Sequence, residues 1–380
     1  MNHLSAICSG DGDLKSLTLD ELRRRCQNAG QAFGLTWVEV VLLILVIVVA
    51  FFWLLAARTR ANEDTGTVVG NTIEGVAYAA IGLVAGSGFG LFAAEIVPPH
   101  LLGIILVLVG LVALAFAIIG AATGDGDAGG RVAAVLLGVL LAAGVATIGV
   151  LGLAVPSGGA AGGDYEHYLN AVAIGLGLLG AFDGIVSALL RGPHWAVGWA
   201  LVLVNSSWGC LGSILGLGTH LGSYLCWAND GAVERDNRKA YTLYRGGLTL
   251  RNEPGNRYAF TQGWVMSCDS AGALEVHEAI HVTQHFVLGP IYVVSHGIWD
   301  GLGALIGLIA GPAAGVGVSE GVTRMSYFNN PYEIMAYATH NGARQDTDKL
   351  IFPSPWSYIF MSLWIAGAIA ASIALTVHWV

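Results

Sequence analysis

Between Leu274 and Pro290 the chain reads LEVHEAIHVTQHFVLGP, which places His277, Glu278, His281, Gln284 and His285 within nine positions. The run His277-Glu278-Ala279-Ile280-His281 is an H-E-x-x-H pattern. On a helix, positions i and i+4 share a face about one turn apart, so both imidazoles can reach one tetrahedral Zn²⁺. Glu278, beside the first, then points at the metal-bound water. Zinc lowers the pKa of its water towards about 7, and a nearby carboxylate can take the proton and pass it to a leaving amine. In a chain with 11 histidines, chance supplies the pattern about 0.01 times, so it carries weight where its context agrees. His285 lies two turns from His277, about 12 Å away, and cannot share the ion. It reads as a neighbour of the ligands or a surface residue, and Gln284 as structural.

Elements must hold these groups in place. Asp269 or Ser270 can cap a helix over 271–288, which Gly289-Pro290 then stops. Upstream, KAYTLYRGGLTLRN alternates around Gly246-Gly247 as a β-hairpin should, and YAFTQGWVMSC reads as one further strand. Downstream, the apolar stretch 290–318 is interrupted by His296 and Asp300, which are costly in lipid and mark a wet cavity or an interface. A polar stretch, 319–355, follows with FNNPYEIMAYATHNGAR, in which Pro331 suits the first residue of a short helix carrying Glu333.

The rest of the 380-residue chain is unlike a soluble domain: 55% of its residues are hydrophobic, 11% charged, and its mean hydropathy is +0.66. Membrane-length apolar runs occur at 37–57, 75–97, 101–122, 132–155, 171–190, 195–217 and 356–377. Their glycines, as in GLVAGSGFG and GLGLLG, fit small-residue seams between packed helices, and GLGLLG inside a span is not a nucleotide loop. Residues 1–36 are polar, contain a short amphipathic helix, and lack the layout of a cleavable signal. No basic cluster exceeds Arg23-Arg24-Arg25, so nothing points to nucleic acid. The five cysteines show no C-x-x-C pair and read as reduced, although Cys226 and Cys268 could pair in an oxidising compartment. Fourteen of the 17 basic residues are Arg, a bias consistent with a GC-rich bacterial genome. With a cytoplasmic amino terminus, six crossings return the chain to the cytoplasm at Gly218. Arg235, Arg238, Lys239, Arg245, Arg251 and Arg257 then lie inside, with Arg58, Arg60, Arg131 and Arg191 outside.

HEAIHVTQ followed by FNNPYEIMAYA resembles the gluzincins, among them the membrane-bound CAAX prenyl-protease and heat-shock membrane-protease families. HVTQHFVLGPIY is similar to bacterial zinc-peptidase-like domains with an H-E-x-x-H-V-x-Q signature. The resemblance covers about residues 240–340. It implies His277, His281 and Glu333 as zinc ligands, Glu278 as general base, and a zinc site facing the cytoplasm. Gluzincins commonly place an Asp four residues after the ligand Glu, to orient a ligand His; here that position is Tyr337, a weaker orienting group. Tyr337 or His340 can instead steady a tetrahedral oxyanion. Asp300-Gly301 also resembles the third-ligand motif of site-two proteases, but only 19 residues separate it from His281.

One metal shared by His281 and Glu333 requires both on one membrane face, so 290–318 reads as re-entrant and the last span as leading outward. The expectation is a mainly α, polytopic transmembrane helix bundle with a small α+β zincin-like catalytic module at the membrane face. Its parts are 1–36, a cytoplasmic amphipathic segment; 37–217, six spans; 218–355, the module; and 356–380, a final span. The expected protein is a zinc endopeptidase of a bacterial inner membrane, acting on membrane-proximal peptides, with AFTQGWVM pairing with extended substrate. Glu95 and Asp183 read as packing or cavity groups. A catalytically silent zinc-binding scaffold or sensor, and a transporter or channel using the glycine-rich spans, are the other classes.

Overall fold

The computed structural model describes residues 65–123, 128–155, 163–191, 195–227, 233–234, 241–244, 251–253, 256–257, 259–267, 273–339, 350–352 and 355–379. The first apolar run (37–57), the amino-terminal amphipathic segment, Asp269, Ser270, Gly246-Gly247 and His340 lie outside them. Mainly α, the described chain holds six helices long and apolar enough to cross a bilayer, and a bent pair makes a seventh if counted as one span. These mark it as an integral membrane protein.

Four long helices come first: α1 (Thr65–Ile96), α2 (Pro99–Thr123), α3 (Ala128–Ala154) and α4 (Gly163–Arg191). They pack because glycine lets backbones touch. A Cβ on Gly82 would collide with the Gly180 carbonyl, and one on Gly86 or Gly90 with the carbonyls of Leu176 or Val172. This seam pairs α1 antiparallel with α4. Gly103 against Gly149 and Gly110 against Ala142 do the same for α2 and α3.

The run 195–217 is not a straight crossing. It divides into α5 (Trp195–Ser206) and α6 (Cys210–Trp227), bent by 106°. Twelve residues rise only about 18 Å, too few to cross about 30 Å of hydrocarbon. Ala113 of α2 faces Gly218 and Gly120 faces Gly222, so α6 runs parallel to α2 and ends on the face where α2 and α4 end. Arg131, in the first turn of α3, and Arg191, the last residue of α4, therefore share the face from which the loop after α6 emerges. That corrects the count of six crossings, which set those two arginines opposite the loop.

The sheet has the order β1 (Val233–Glu234), β2 (Thr242–Tyr244), β6 (Val265–Ser267), β5 (Phe260–Gln262). A separate pair joins β3 (Arg251–Glu253) to β4 (Asn256–Arg257). YAFTQGWVMSC is thus two antiparallel strands rather than one. Gly263, at φ 59, turns the chain between them and lies against Gly212 of α6, a positive φ and a close approach that both require glycine. Trp264, fully buried, donates from Nε1 to Oδ1 of Asp183 at 2.9 Å, so this intramembrane acid anchors the hairpin in the bundle.

Helix α7 (Ala273–Leu288) meets α8 (Pro290–Ala313) at Gly289, φ 55, where a Cβ would collide with the Trp208 indole. After α8 the chain turns back through α9 (Val318–Thr323) and a π-helical turn, Arg324–Phe328. Gly311 and Gly307 face Gly321, and Gly303 faces Met325. Tyr292, in the first turn of α8, meets Tyr332 of α10 (Pro331–Thr339) with ring centroids 5.0 Å apart. Both ends of this hairpin therefore meet. The last helix, α11 (Trp356–Trp379), runs antiparallel to α8: Ser357 is near Asn329, Trp364 packs on Trp299, and Ser372 donates to the Leu288 carbonyl.

Candidate metal centre

Helices α7 and α10 bring three of the expected residues together. His277 Nε2 lies 3.1 Å from Glu333 Oε2, His281 Nε2 lies 3.4 Å from Glu333 Oε1, and the two Nε2 atoms are 3.3 Å apart. Zn–N and Zn–O bonds of about 2.0–2.2 Å define tetrahedra with edges of about 3.3–3.6 Å. The triangle fits that edge on two sides and falls slightly short on the third. All three side chains are buried, and among the described residues they form the group of His, Cys, Asp and Glu able to hold a metal. Asp300 is not part of it: its carboxylate is taken by His296 at 3.0 Å and Asn330 at 3.2 Å.

Buried charges need partners, and the site supplies them internally. Burial alone would lower the His281 pKa, but the Glu333 carboxylate outweighs it and lifts the ring to about 9. Burial would likewise raise Glu333, yet the His281 and His277 contacts hold it well below the usual carboxylate range. Glu278, 5% exposed, sits between these effects: burial pushes it above its usual range and His281 pulls part of the way back. Its Oε2 accepts the Thr261 hydroxyl at 2.8 Å, from edge strand β5. A carboxylate placed in this way can serve as a proton acceptor.

The ligand rings are oriented differently. His281 Nδ1–H donates to Gln284 Oε1 at 2.8 Å, which fixes the tautomer that leaves Nε2 free, and the Tyr292 hydroxyl lies 3.4 Å from the same Nδ1. Gln284 Nε2 also donates to the Tyr332 carbonyl at 3.0 Å, tying the second histidine to the helix of Glu333. His277 Nδ1, by contrast, has no hydrogen-bond partner among the described residues. Tyr337 packs on the His277 ring, centroids 4.2 Å apart, while its hydroxyl lies 3.3 Å from that of Tyr327. The phenol thus meets the ligand ring through a tilted ring contact, and its hydroxyl does not take the place of the Asp acceptor.

His285 is neither a ligand neighbour nor a surface residue. Fully buried, it points into the α5–α6 bend, where a Cβ on Gly212 would collide with its ring, and burial lowers its pKa to about 4. Glu95 is exposed at the end of α1. Sequence reasoning missed Thr261, Tyr292, Tyr327 and Asn330. A hydroxyl two residues from a turn glycine, or an Asn before a helix-starting Pro, gives no metal-site signal until the fold brings it near the histidines.

Neither protein-family models, curated proteins nor solved structures give a match to this chain, so the gluzincin likeness rests on these residues alone.

Proposed function

We propose that the chain is a membrane-integral zinc metallopeptidase, with His277, His281 and Glu333 as ligands and Glu278 as general base. The observation that carries this reading is the near-tetrahedral spacing of the three ligand atoms beside the buried Glu278 carboxylate, which Thr261 holds in place. Zinc, when bound there, supplies a Lewis acid that makes water a nucleophile near neutral pH. Glu278 accepts the proton as water adds to the scissile carbonyl carbon, then delivers it to the nitrogen as the C–N bond breaks. Thr261 holds Glu278 from strand β5, whose outer edge is unpaired among the described strands and suits an extended substrate added as a further strand. Tyr337 and its partner Tyr327 stand beside His277 as candidate donors to a developing oxyanion, a role His340 could share.

The face shared by Arg131, Arg191 and the loop after α6 is the cytoplasmic one under the positive-inside rule, and α7 enters from that loop. Bacterial inner membrane, a re-entrant α8–α9 hairpin and membrane-proximal peptide substrates complete the reading. One alternative is a silent zinc-binding scaffold, favoured by Tyr337 at the position where the gluzincins place an orienting Asp.

Metal analysis on purified wild type, Glu333→Ala and Glu278→Gln, with cleavage of co-expressed membrane proteins, separates these readings. One zinc per chain, lost in Glu333→Ala and kept in an inactive Glu278→Gln, is the expected result. Zinc without any dependence of cleavage on Glu278 leaves the scaffold. A zinc-free wild type removes both readings.

A further inference from the structure

We propose that Asn330 is a positioning residue for Glu333, locked by Asp300 and His296 of α8; this rests on the metal reading above. Asn330 precedes Pro331, and its Oδ1 accepts the Tyr332 backbone N–H at 2.9 Å, capping the helix that presents Glu333 one turn later. An Asp or Ser would cap equally well. The amide nitrogen has a second task that a cap does not need. It lies 3.2 Å from Asp300 Oδ1 and 3.4 Å from His296 Nε2, while His296 Nδ1 lies 3.0 Å from Asp300 Oδ2.

One proton assignment satisfies every contact. Neutral His296 donates from Nδ1 to Asp300, and its Nε2 accepts one N–H of Asn330. The other N–H goes to Asp300. Asn330 is only 1% exposed, so nothing in solvent substitutes for these partners. Tyr332 is held from both sides as well: its carbonyl takes Gln284, its hydroxyl bonds Ser295, and its ring stacks on His296 at 5.5 Å and 12°. The residue before Glu333 is therefore tied to the helix of the other two ligands and to α8. The amide at 330 accepts from the cap with its oxygen and donates to both Asp300 and His296 with its nitrogen. A carboxylate there keeps the cap but faces Asp300 charge to charge.

The experiment is zinc affinity of the detergent-solubilised full chain, with the visible spectrum of the Co²⁺-substituted protein as a reading of ligand geometry. Asn330→Asp is expected to weaken zinc about tenfold or more and to alter the Co²⁺ bands. Adding Asp300→Asn returns one N–H to the pair and is expected to restore both. Asn330→Ser, which keeps the cap but loses the two amide N–H groups and carries its one O–H on a shorter side chain, is expected to weaken zinc as Asn330→Asp does, and it serves if Asn330→Asp fails to accumulate. An Asn330→Asp protein with wild-type affinity and spectrum, or a double variant that stays defective, overturns the lock while leaving the metal reading intact. A zinc-free wild type overturns the metal reading first.

Discussion

The helices α1–α4 and the site-bearing segment α7–α11 hold together by different means. Of the Tyr168–Ala188 span in α4, 67% is buried, against 11% of Pro290–Ala313 in α8 and 11% of Trp356–Leu375 in α11. The first group is joined by backbone touching backbone, as at Gly82 and Gly180. In lipid, where apolar faces gain little by meeting each other, such close van der Waals contact is what drives helices together. The second group has a glycine seam only towards the tip of its hairpin, at Gly303, Gly307 and Gly311. At its base the contacts are hydrogen bonds among Gln284, Ser295, His296, Asp300, Asn330 and Tyr332. Glycine contacts fix distance between helices, whereas directional bonds fix the angle of a side chain, and a metal centre needs the second.

The widest separation of the two regions comes from Glu278→Gln. It removes a proton acceptor without touching either set of contacts, so hydrolysis should fall about 10²–10⁴-fold while zinc content and thermal stability stay at wild-type levels. A loss of zinc or a lower melting temperature in that variant would show that Glu278 is structural. Gly180→Ala tests the other region. Its Cβ has no room beside the Gly82 carbonyl, and overpacking of this kind costs about 1–3 kcal/mol. Denaturation in detergent should report that loss, with zinc affinity unchanged. A zinc defect in Gly180→Ala would break the comparison, because it would mean that the bundle seam sets ligand geometry.

Much of this architecture was legible in the sequence, in proportion to how local each signal is. Spacing alone put His277 and His281 on one face, whereas Glu333 followed only from the resemblance of FNNPYEIMAYA to the gluzincins. Runs of apolar residues located α1 to α4, because hydropathy counts length. The same count failed at 195–217, since length carries no direction and a window of that width averages over the short polar run Asn205-Ser206-Ser207 at which the helix breaks. It missed the turn at Gly263 for a related reason: alternation continues across a two-residue connection. The partners of the site were not readable, because Thr261 meets Glu278, Asp183 meets Trp264 and Asn330 meets Asp300 only after folding.

Gln284 tests the directional contacts within the module itself. Its two ends serve His281 and the Tyr332 carbonyl, so Gln284→Leu takes the acceptor from one ligand and loosens the helix of another. Zinc should bind about 10–100-fold more weakly, as read by competition with a chromogenic chelator. Gln284→Leu and Gly180→Ala share no partner, so in the double variant each effect should keep its size. Coupling between them would mean that the two regions act as one unit.

Protons give the last and smallest test, because the backbone contacts of the bundle seam do not titrate. In the metal-free chain, His281 is raised from 6.5 to about 9 by Glu333. A folded pKa above the unfolded one means that this ion pair's stability is fully present below about pH 6.5 and is lost as pH rises through about 9. Zinc needs the neutral ring, so at pH 7 its binding must expel the His281 proton. Affinity should therefore rise about tenfold per pH unit and level off above about pH 9. Titration calorimetry at pH 7 in buffers of different ionisation enthalpy counts the protons released. At least one is expected, falling towards none above about pH 9. In the metal-free chain the same proton is read by NMR of the His281 ring: a His281 pKa unaffected by Glu333→Gln would show that the carboxylate does not hold that proton, and the ion pair at the centre of the site would have to be abandoned.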